Sequence, residues 1–232
     1  MKTIGLIGGM SWESTLPYYR IINERVRARL GGLHSARCVL WSFDFHEIEQ
    51  LQRRDDWRAA TAQMIAAGRA LARAGADFLV ICTNTMHLMA EQVRQAAGLP
   101  LLHIADATAA AIRQAGLETV GLLATRFTME KDFYVGRLRE QHAIEVLVPE
   151  PGGRQRVHEI IYGELCRGQI GERSRRELGA IIQRLAAAGA QGVVLGCTEL
   201  GLLLRPEDSP LPLFDTARIH AEAAADFALR AE

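Results

Sequence analysis

The sequence carries no surplus of charge, with Lys+Arg and Asp+Glu at 27 each. Without a net field there is no electrostatic basis for a nucleic acid or an anionic membrane surface as partner. No apolar run approaches the roughly 18 residues that a bilayer-spanning helix needs. The chain passes directly into Thr3-Ile4-Gly5-Leu6-Ile7-Gly8-Gly9, which is too short and too glycine-rich for the apolar region of a secretory signal. Cysteine is scarce. Cys38, Cys82, Cys166 and Cys197 match no metal-ligand spacing and include no C-x-x-C pair. These absences predict a soluble, cytoplasmic protein with free thiols. The Gly8-Gly9 turn also lacks the G-x-G-x-x-G spacing and the acidic residue of a dinucleotide site.

What is present is a repeat. The 232 residues, 49% hydrophobic and 23% charged, suffice for one large domain or two small ones. The stretch Ala74-Gly75-Ala76-Asp77-Phe78-Leu79-Val80-Ile81-Cys82-Thr83-Asn84-Thr85 returns as Ala188-Gly189-Ala190-Gln191-Gly192-Val193-Val194-Leu195-Gly196-Cys197-Thr198-Glu199, 115 residues later. Thr3-Ile4-Gly5-Leu6-Ile7 returns as Thr119-Val120-Gly121-Leu122-Leu123. Pro212-Leu213-Phe214-Asp215-Thr216 parallels the stretch from Pro100 to Thr108. A period this long is no solenoid unit and implies two similar domains.

Apolar runs alternating with helical periodicity predict parallel sheets. Strands are expected at Thr3–Ile7, Arg37–Phe43, Phe78–Ile81, Leu101–Ile104, Thr119–Leu123, Glu145–Val148 and Val193–Gly196. Helices are expected at Ser14–Leu30, Asp56–Arg73, Met86–Ala97, Ala107–Gln114, Met129–Gln141, Val157–Cys166, Ser174–Ala188 and Ala217–Ala231, with a loop or short helix at His46–Arg54. The predicted fold is α/β, with two pseudo-symmetric domains, each a parallel sheet flanked by helices, and the active site in the cleft between them. The first domain takes residues 1–107 with the C-terminal helix 217–232, and the second takes 108–216.

Ligands of open parallel sheets sit beyond the carboxyl ends of the strands. The turns Gly8-Gly9-Met10, Cys82-Thr83-Asn84-Thr85, Ala124-Thr125 and Cys197-Thr198-Glu199 are placed there. A lone cysteine at a strand end is usually a small buried hydrophobe, but two Cys-Thr pairs at matching repeat positions are hard to explain as packing. Each thiol is expected at a helix start, where N–H groups and the dipole lower its pKa from about 8.5. Those N–H groups, with Thr and Asn donors, suit a carboxylate. Removing the proton beside a carboxylate makes an enolate-like charge, which such donors stabilise without a cofactor. Two thiols on opposite faces of a carbon would invert it, one taking a proton as the other returns one. His87 either tunes the thiol or is a capping or surface histidine. Glu199 either orients or shuttles a proton or caps the next helix. Gln52-Arg53-Arg54 is either solvated surface or sends one member, Gln52 or Arg53, into the cleft. Cys38 and Cys166 are read as packing.

These residues carry a family resemblance. Ile4 to Thr15, Cys82-Thr83-Asn84-Thr85-Met86-His87, Leu122 to Met129 and Gly196-Cys197-Thr198-Glu199 together resemble the cofactor-independent aspartate/glutamate racemases, above all their broad amino-acid racemase branch, over nearly the whole length. The resemblance implies a homodimer acting on small-molecule amino acids, without pyridoxal phosphate or metal. It implies Cys82 and Cys197 as the acid/base pair, with Met10, Thr83, Asn84, Thr85, Thr125 and Thr198 lining the substrate pocket and Gln52 at the side-chain end. Two departures matter. Gly8-Gly9-Met10 replaces the Asp-Ser-Gly of glutamate racemases, and Cys166 stands where aspartate-specific members tend to place lysine, which favours a wider substrate range. Other reactions on the scaffold (hydantoin racemisation or maleate isomerisation), or a carboxylate-binding protein without turnover, are the alternatives.

Overall fold

The computed structural model describes residues 1–230. The chain divides into two compact units, one running from Met1 to His103 and taking up the chain again from His220, the other continuous from Ile104 to Ile219. Each contains a four-stranded, wholly parallel sheet with helices against it.

The first unit contains β1 (Ile4–Gly8), α1 (Trp12–Leu30), β2 (Cys38–Ser42), α2 (Phe45–Arg53), α3 (Trp57–Arg73), β3 (Phe78–Ile81), a 3₁₀ turn at Thr85–Met89, α4 (Ala90–Ala97) and β4 (Leu101–Leu102). Its sheet order is β2-β1-β3-β4. The central strands β1 and β3 are buried throughout, as strands covered on both faces must be. Asp44 and Asp56 cap α2 and α3 by accepting from His46 N–H and Ala59 N–H, which satisfies first-turn donors. On α3 the residues Ala60, Met64, Ala67 and Leu71 form the buried stripe, at the three-and-four spacing of a helix face. On α1 the buried residues are Tyr18, Ile22 and Val26.

The second unit contains α5 (Ile104–Gln114), β5 (Thr119–Ala124), α6 (Arg126–Glu130), α7 (Asp132–His142), β6 (Glu145–Leu147), α8 (Pro151–Gly163), a 3₁₀ turn at Leu165–Arg167, α9 (Glu172–Ala187), β7 (Gly192–Gly196), α10 (Leu200–Leu203), β8 (Leu213–Asp215) and the start of α11 (Thr216–Leu229). Its order, β6-β5-β7-β8, repeats that of the first sheet. Residues of α11 from His220 onward belong to the first unit, where Phe227 packs edge-on against Phe78 and Arg25 grips Asp226 with two hydrogen bonds of 3.1 and 2.9 Å. Among the described residues, no helix is long and apolar enough to cross a membrane.

Several boundaries differ from the sequence reading. The fourth strand stops at Leu102, and Ile104 opens α5, three residues before the expected Ala107. Ile104 O accepts from Thr108 Oγ1 at 2.8 Å, and Asp106 in the same first turn takes Arg137 and His142 from α7. The helix expected over Met129–Gln141 is two, broken at Lys131 in extended conformation. The helix expected from Val157 begins at Pro151, because proline is favoured in the first turn, where its missing N–H costs nothing. The stretch expected as one helix from Met86 opens as a 3₁₀ turn at Thr85. Of the last expected helix, Ala231 lies outside the described residues.

Gly9 has φ of +81°, and a Cβ there would lie 2.4 Å from both the N and the O of Phe43. Gly75 has φ of +88° with nothing within 4 Å of the same position. Alanine at Gly75 is therefore expected to cost only the left-handed conformation, about 1–2 kcal/mol. Alanine at Gly9 adds overpacking against backbone, about 1–3 kcal/mol more. Urea unfolding midpoints at unchanged slope measure both, and equal losses would show that the contact with Phe43 is immaterial.

Candidate active site

In each sheet the strand order reverses between the two central strands: the chain goes from β1 outward to β2 and then returns across β1 to β3, and β5, β6 and β7 do the same. Ligands of such sheets bind beyond the carboxyl ends at this reversal. The turns meeting there are Gly8-Gly9-Met10 with Cys82-Thr83-Asn84-Thr85 in the first unit, and Ala124-Thr125 with Cys197-Thr198-Glu199 in the second.

In the first unit, Ile7 pairs with Ile81, and Cys82 N–H donates to Ile7 O at 2.8 Å. This brings Cys82 level with Gly8. Gly9 N–H donates to Thr15 Oγ1 at 2.9 Å, and that hydroxyl donates to Ser11 O at 2.8 Å, so α1 fixes the glycine turn. Met10, Thr83, Asn84 and Thr85 are all buried. Gln52 reaches the same side from α2: its amide is buried and donates from Nε2 to Met86 Sδ at 3.2 Å. Arg53, the other candidate of that pair, is exposed and bonded to Glu49. The site expectations for this unit thus fall on one set of neighbouring turns, with Gln52 rather than Arg53 turned inward. Cys82 has no exposed surface, and its Sγ lies 3.9 Å from Val80 O.

In the second unit, Ala124 pairs with Gly196, which places Cys197 level with Thr125, one residue further out than Cys82 stands against Gly8. The two halves are therefore similar but not strict copies. Thr125 caps α6 through Thr128 N–H at 3.4 Å and shares a hydroxyl contact of 3.2 Å with Thr128. Cys197 Sγ donates to Glu199 Oε2 at 3.0 Å, and Thr198 Oγ1 donates to the same oxygen at 2.9 Å. Glu199 is buried and makes no side-chain cap to α10, so its carboxylate serves the thiol and not the helix. A buried carboxylate demands such donors, since desolvating the charge without them is costly.

The expectation of acidic thiols is overturned. Burial pushes the Cys82 thiol well above its ordinary range. Burial, followed by the Glu199 charge, does the same to Cys197. The helices that follow the thiols are a 3₁₀ turn at Thr85–Met89 and the four-residue α10. Their few aligned peptides give a weak dipole, and desolvation outweighs it. Both environments favour the neutral thiol.

Sequence reading missed three groups near the Cys82 turn: His103 and His220 are buried beside His87, and Tyr18 packs on His220. They come from the residue after β4, from α11 and from α1, and no spacing in the sequence relates them. It also missed His158 on α8, whose Nδ1 accepts Arg126 N–H at 3.3 Å beside Thr125. Among the described residues, no group of three or more His, Cys, Asp or Glu could hold a metal ion.

A family model described as Asp/Glu/Hydantoin racemase matches residues 7–224. The chain is similar to the crystal structure of a candidate Asp/Glu racemase from Yersinia pestis, with 56% identity and a TM-score of 0.92 over 99% of this chain and 100% of that one. It is also similar to an aspartate racemase homologue from Pyrococcus horikoshii OT3, with 34% identity and a TM-score of 0.83 over 99% and 100%. By sequence it is 21% identical over 225 residues to the broad specificity amino-acid racemase RacX of Bacillus subtilis (strain 168), covering 95% of each. With a family match over most of its length and relatives of this identity and coverage, the chain belongs to the Asp/Glu/hydantoin racemase family.

Proposed function

We propose that the protein is a cofactor-independent amino-acid racemase in which Cys82 and Cys197 exchange protons with one α-carbon. The observation that carries this reading is the pair of buried thiols, each at the end of the strand where its sheet order reverses. The substrate carboxylate is bound by N–H and hydroxyl groups of the Thr83-Asn84-Thr85, Thr125 and Thr198 turns. These donors also stabilise the enolate-like charge that forms as the α-proton leaves. Met10 and Gln52 border the side-chain end. Cys166 stands where the family resemblance places a lysine in aspartate-specific members, so the charge-assisted grip on a second carboxylate, about 1.5–3 kcal/mol, is missing. That supports a wide side-chain range, in keeping with the name of the B. subtilis relative.

The thiols are not equivalent, and this sets the order of proton movement. Cys197 has a carboxylate 3.0 Å away that can take its proton, whereas the Val80 carbonyl beside Cys82 only accepts a hydrogen bond. Glu199 takes the Cys197 proton, and the resulting thiolate removes the α-proton. Cys82 then gives its S–H proton to the opposite face of the carbon. The enzyme is left with a Cys82 thiolate, a Cys197 thiol and a protonated Glu199, and running the reverse direction returns the Glu199 proton to Cys197.

Pyridoxal phosphate chemistry needs a lysine for its Schiff base, and the chain has two, Lys2 and Lys131. The first precedes β1 with its ammonium 5.8 Å from the Phe227 ring, and the second separates α6 from α7. Neither belongs to a strand-end turn of the site. The reading extends to a homodimer. Trp12, Leu16 and Tyr19 are 61%, 59% and 56% exposed on α1. Their spacing forms an apolar stripe flanking the buried Tyr18, Ile22 and Val26, and such stripes mark association surfaces.

Three outcomes are expected. In heavy water, NMR should show α-proton exchange and loss of optical purity with acidic and neutral amino acids. Cys82→Ser and Cys197→Ser should each lower kcat by at least about 10²-fold; no exchange with any amino acid in the wild type would remove the racemase assignment. Glu199→Gln should lower kcat by about 10²–10⁴-fold and reshape the pH profile. In the wild type the proton passes within the Cys197–Glu199 pair, so kcat/KM varies little near neutrality. In the variant it must leave a thiol held above its ordinary range, so kcat/KM should climb with pH. Finally, Leu16→Arg with Tyr19→Glu should convert a dimer to a monomer in sedimentation velocity, and an unchanged state would place the association surface elsewhere.

A further inference from the structure

His87 lies five residues after Cys82 in the 3₁₀ turn and is 3% exposed. Its Nδ1 is 2.8 Å from Thr83 O, and its backbone N–H donates to Asn84 O at 3.0 Å. A carbonyl oxygen can only accept, so the proton of the first contact sits on Nδ1. Burial, followed by the neighbouring His103 and His220 rings, holds His87 well below the ordinary histidine range; the ring is neutral, and its Nε2 is a lone pair.

The rings around it are fixed in turn. His103 packs against His87 with centroids 4.5 Å apart, and His220 lies edge-on at 5.7 Å. His220 is held at both nitrogens: Nε2 is 2.9 Å from Leu102 O, and Nδ1 is 2.9 Å from Tyr18 Oη. The carbonyl forces the proton onto Nε2, so Nδ1 accepts the tyrosine hydroxyl. Residues from α1, the end of β4 and α11 thereby lock the ring that grips Thr83.

We propose that His87 is a positioning residue for the racemase centre, acting through the Thr83–Asn84 peptide; this rests on the racemase reading above. In a trans peptide the C=O of one residue and the N–H of the next point in opposite directions. Drawing Thr83 O toward the imidazole therefore aims Asn84 N–H away from it, as a carboxylate donor in the turn after Cys82 requires. The imidazole makes its hydrogen bond to the backbone, while the Cys82 sulfur rests against Val80 O. It sets geometry and moves no proton.

The amide nitrogen of asparagine occupies the place of imidazole Nδ1, and that of glutamine the place of Nε2. His87→Asn should thus keep kcat within about threefold, while His87→Gln should lower it by about 10–10²-fold and raise KM, the scale of loss from a misplacement near 1 Å. Equal losses in both variants, or none in either, would overturn the proposal if the wild type racemises. Two measurements do not need turnover. The ¹⁵N shifts of His87 should report a neutral Nδ1–H ring between about pH 5 and 8, and the Asn84 amide signal should move in His87→Gln but not in His87→Asn. A His87 that titrates in this range, or carries its proton on Nε2, overturns the proposal even if either variant folds poorly. A wild type that exchanges no α-proton while both signals behave as expected would remove the racemase reading and leave the clamp on Thr83 standing.

Discussion

Every candidate catalytic group depends on the parallel pairing of two central strands in each sheet. Because β1 and β3 end together, and β5 and β7 do the same, backbone N–H groups, small hydroxyl side chains and a thiol collect at one place without a long loop to carry them. Strands supply more rigid anchorage than loops, and a reactive group needs positions held to a fraction of an ångström. The glycines beside them follow from the same constraint. At Gly9 the backbone of Phe43 passes so close that no side chain fits.

In the proposed reaction, the chemistry turns on how a buried sulfur can be a base. Desolvation favours the neutral thiol, which is the correct resting state for a group that must donate a proton and the wrong one for a group that must remove it. The second unit answers this locally, with a carboxylate sharing Thr198 and Cys197 as donors. The first unit places an aromatic network behind its thiol turn, with the His87 and His220 proton positions dictated by backbone carbonyls. The two halves of the repeat thus differ around their thiol turns, with a carboxylate in one and packed imidazole rings in the other.

Much of this was legible from the chain alone, for identifiable reasons. The strand Phe78–Ile81 was readable to the residue because Ala-Gly-Ala closes the helix before it and Cys-Thr ends the apolar run. The two-unit α/β architecture followed from the long repeat, and the paired thiols from their place in it. The junction around Ile104 was not legible, because an apolar residue after Leu101-Leu102 looks like more strand, while the helix there is decided by side chains of α7 that lie far along the chain. Thiol acidity was misjudged because sequence reveals a helix start but not its length or the desolvation around it. The histidines were invisible as a group, since residues 87, 103 and 220 meet only through tertiary structure.

The discontinuity of the first unit bears on how the protein is made. Residues up to His103 leave the ribosome without Phe227, Asp226 and His220, which complete the packing around Phe78, Arg25 and Tyr18. At about 5–20 residues per second, the nascent first half waits on the order of ten seconds while the second unit is translated. The second unit is continuous in sequence, so it can reach its native state first although it is encoded later. Until the final helix arrives, Phe78, Arg25 and Tyr18 lack these partners.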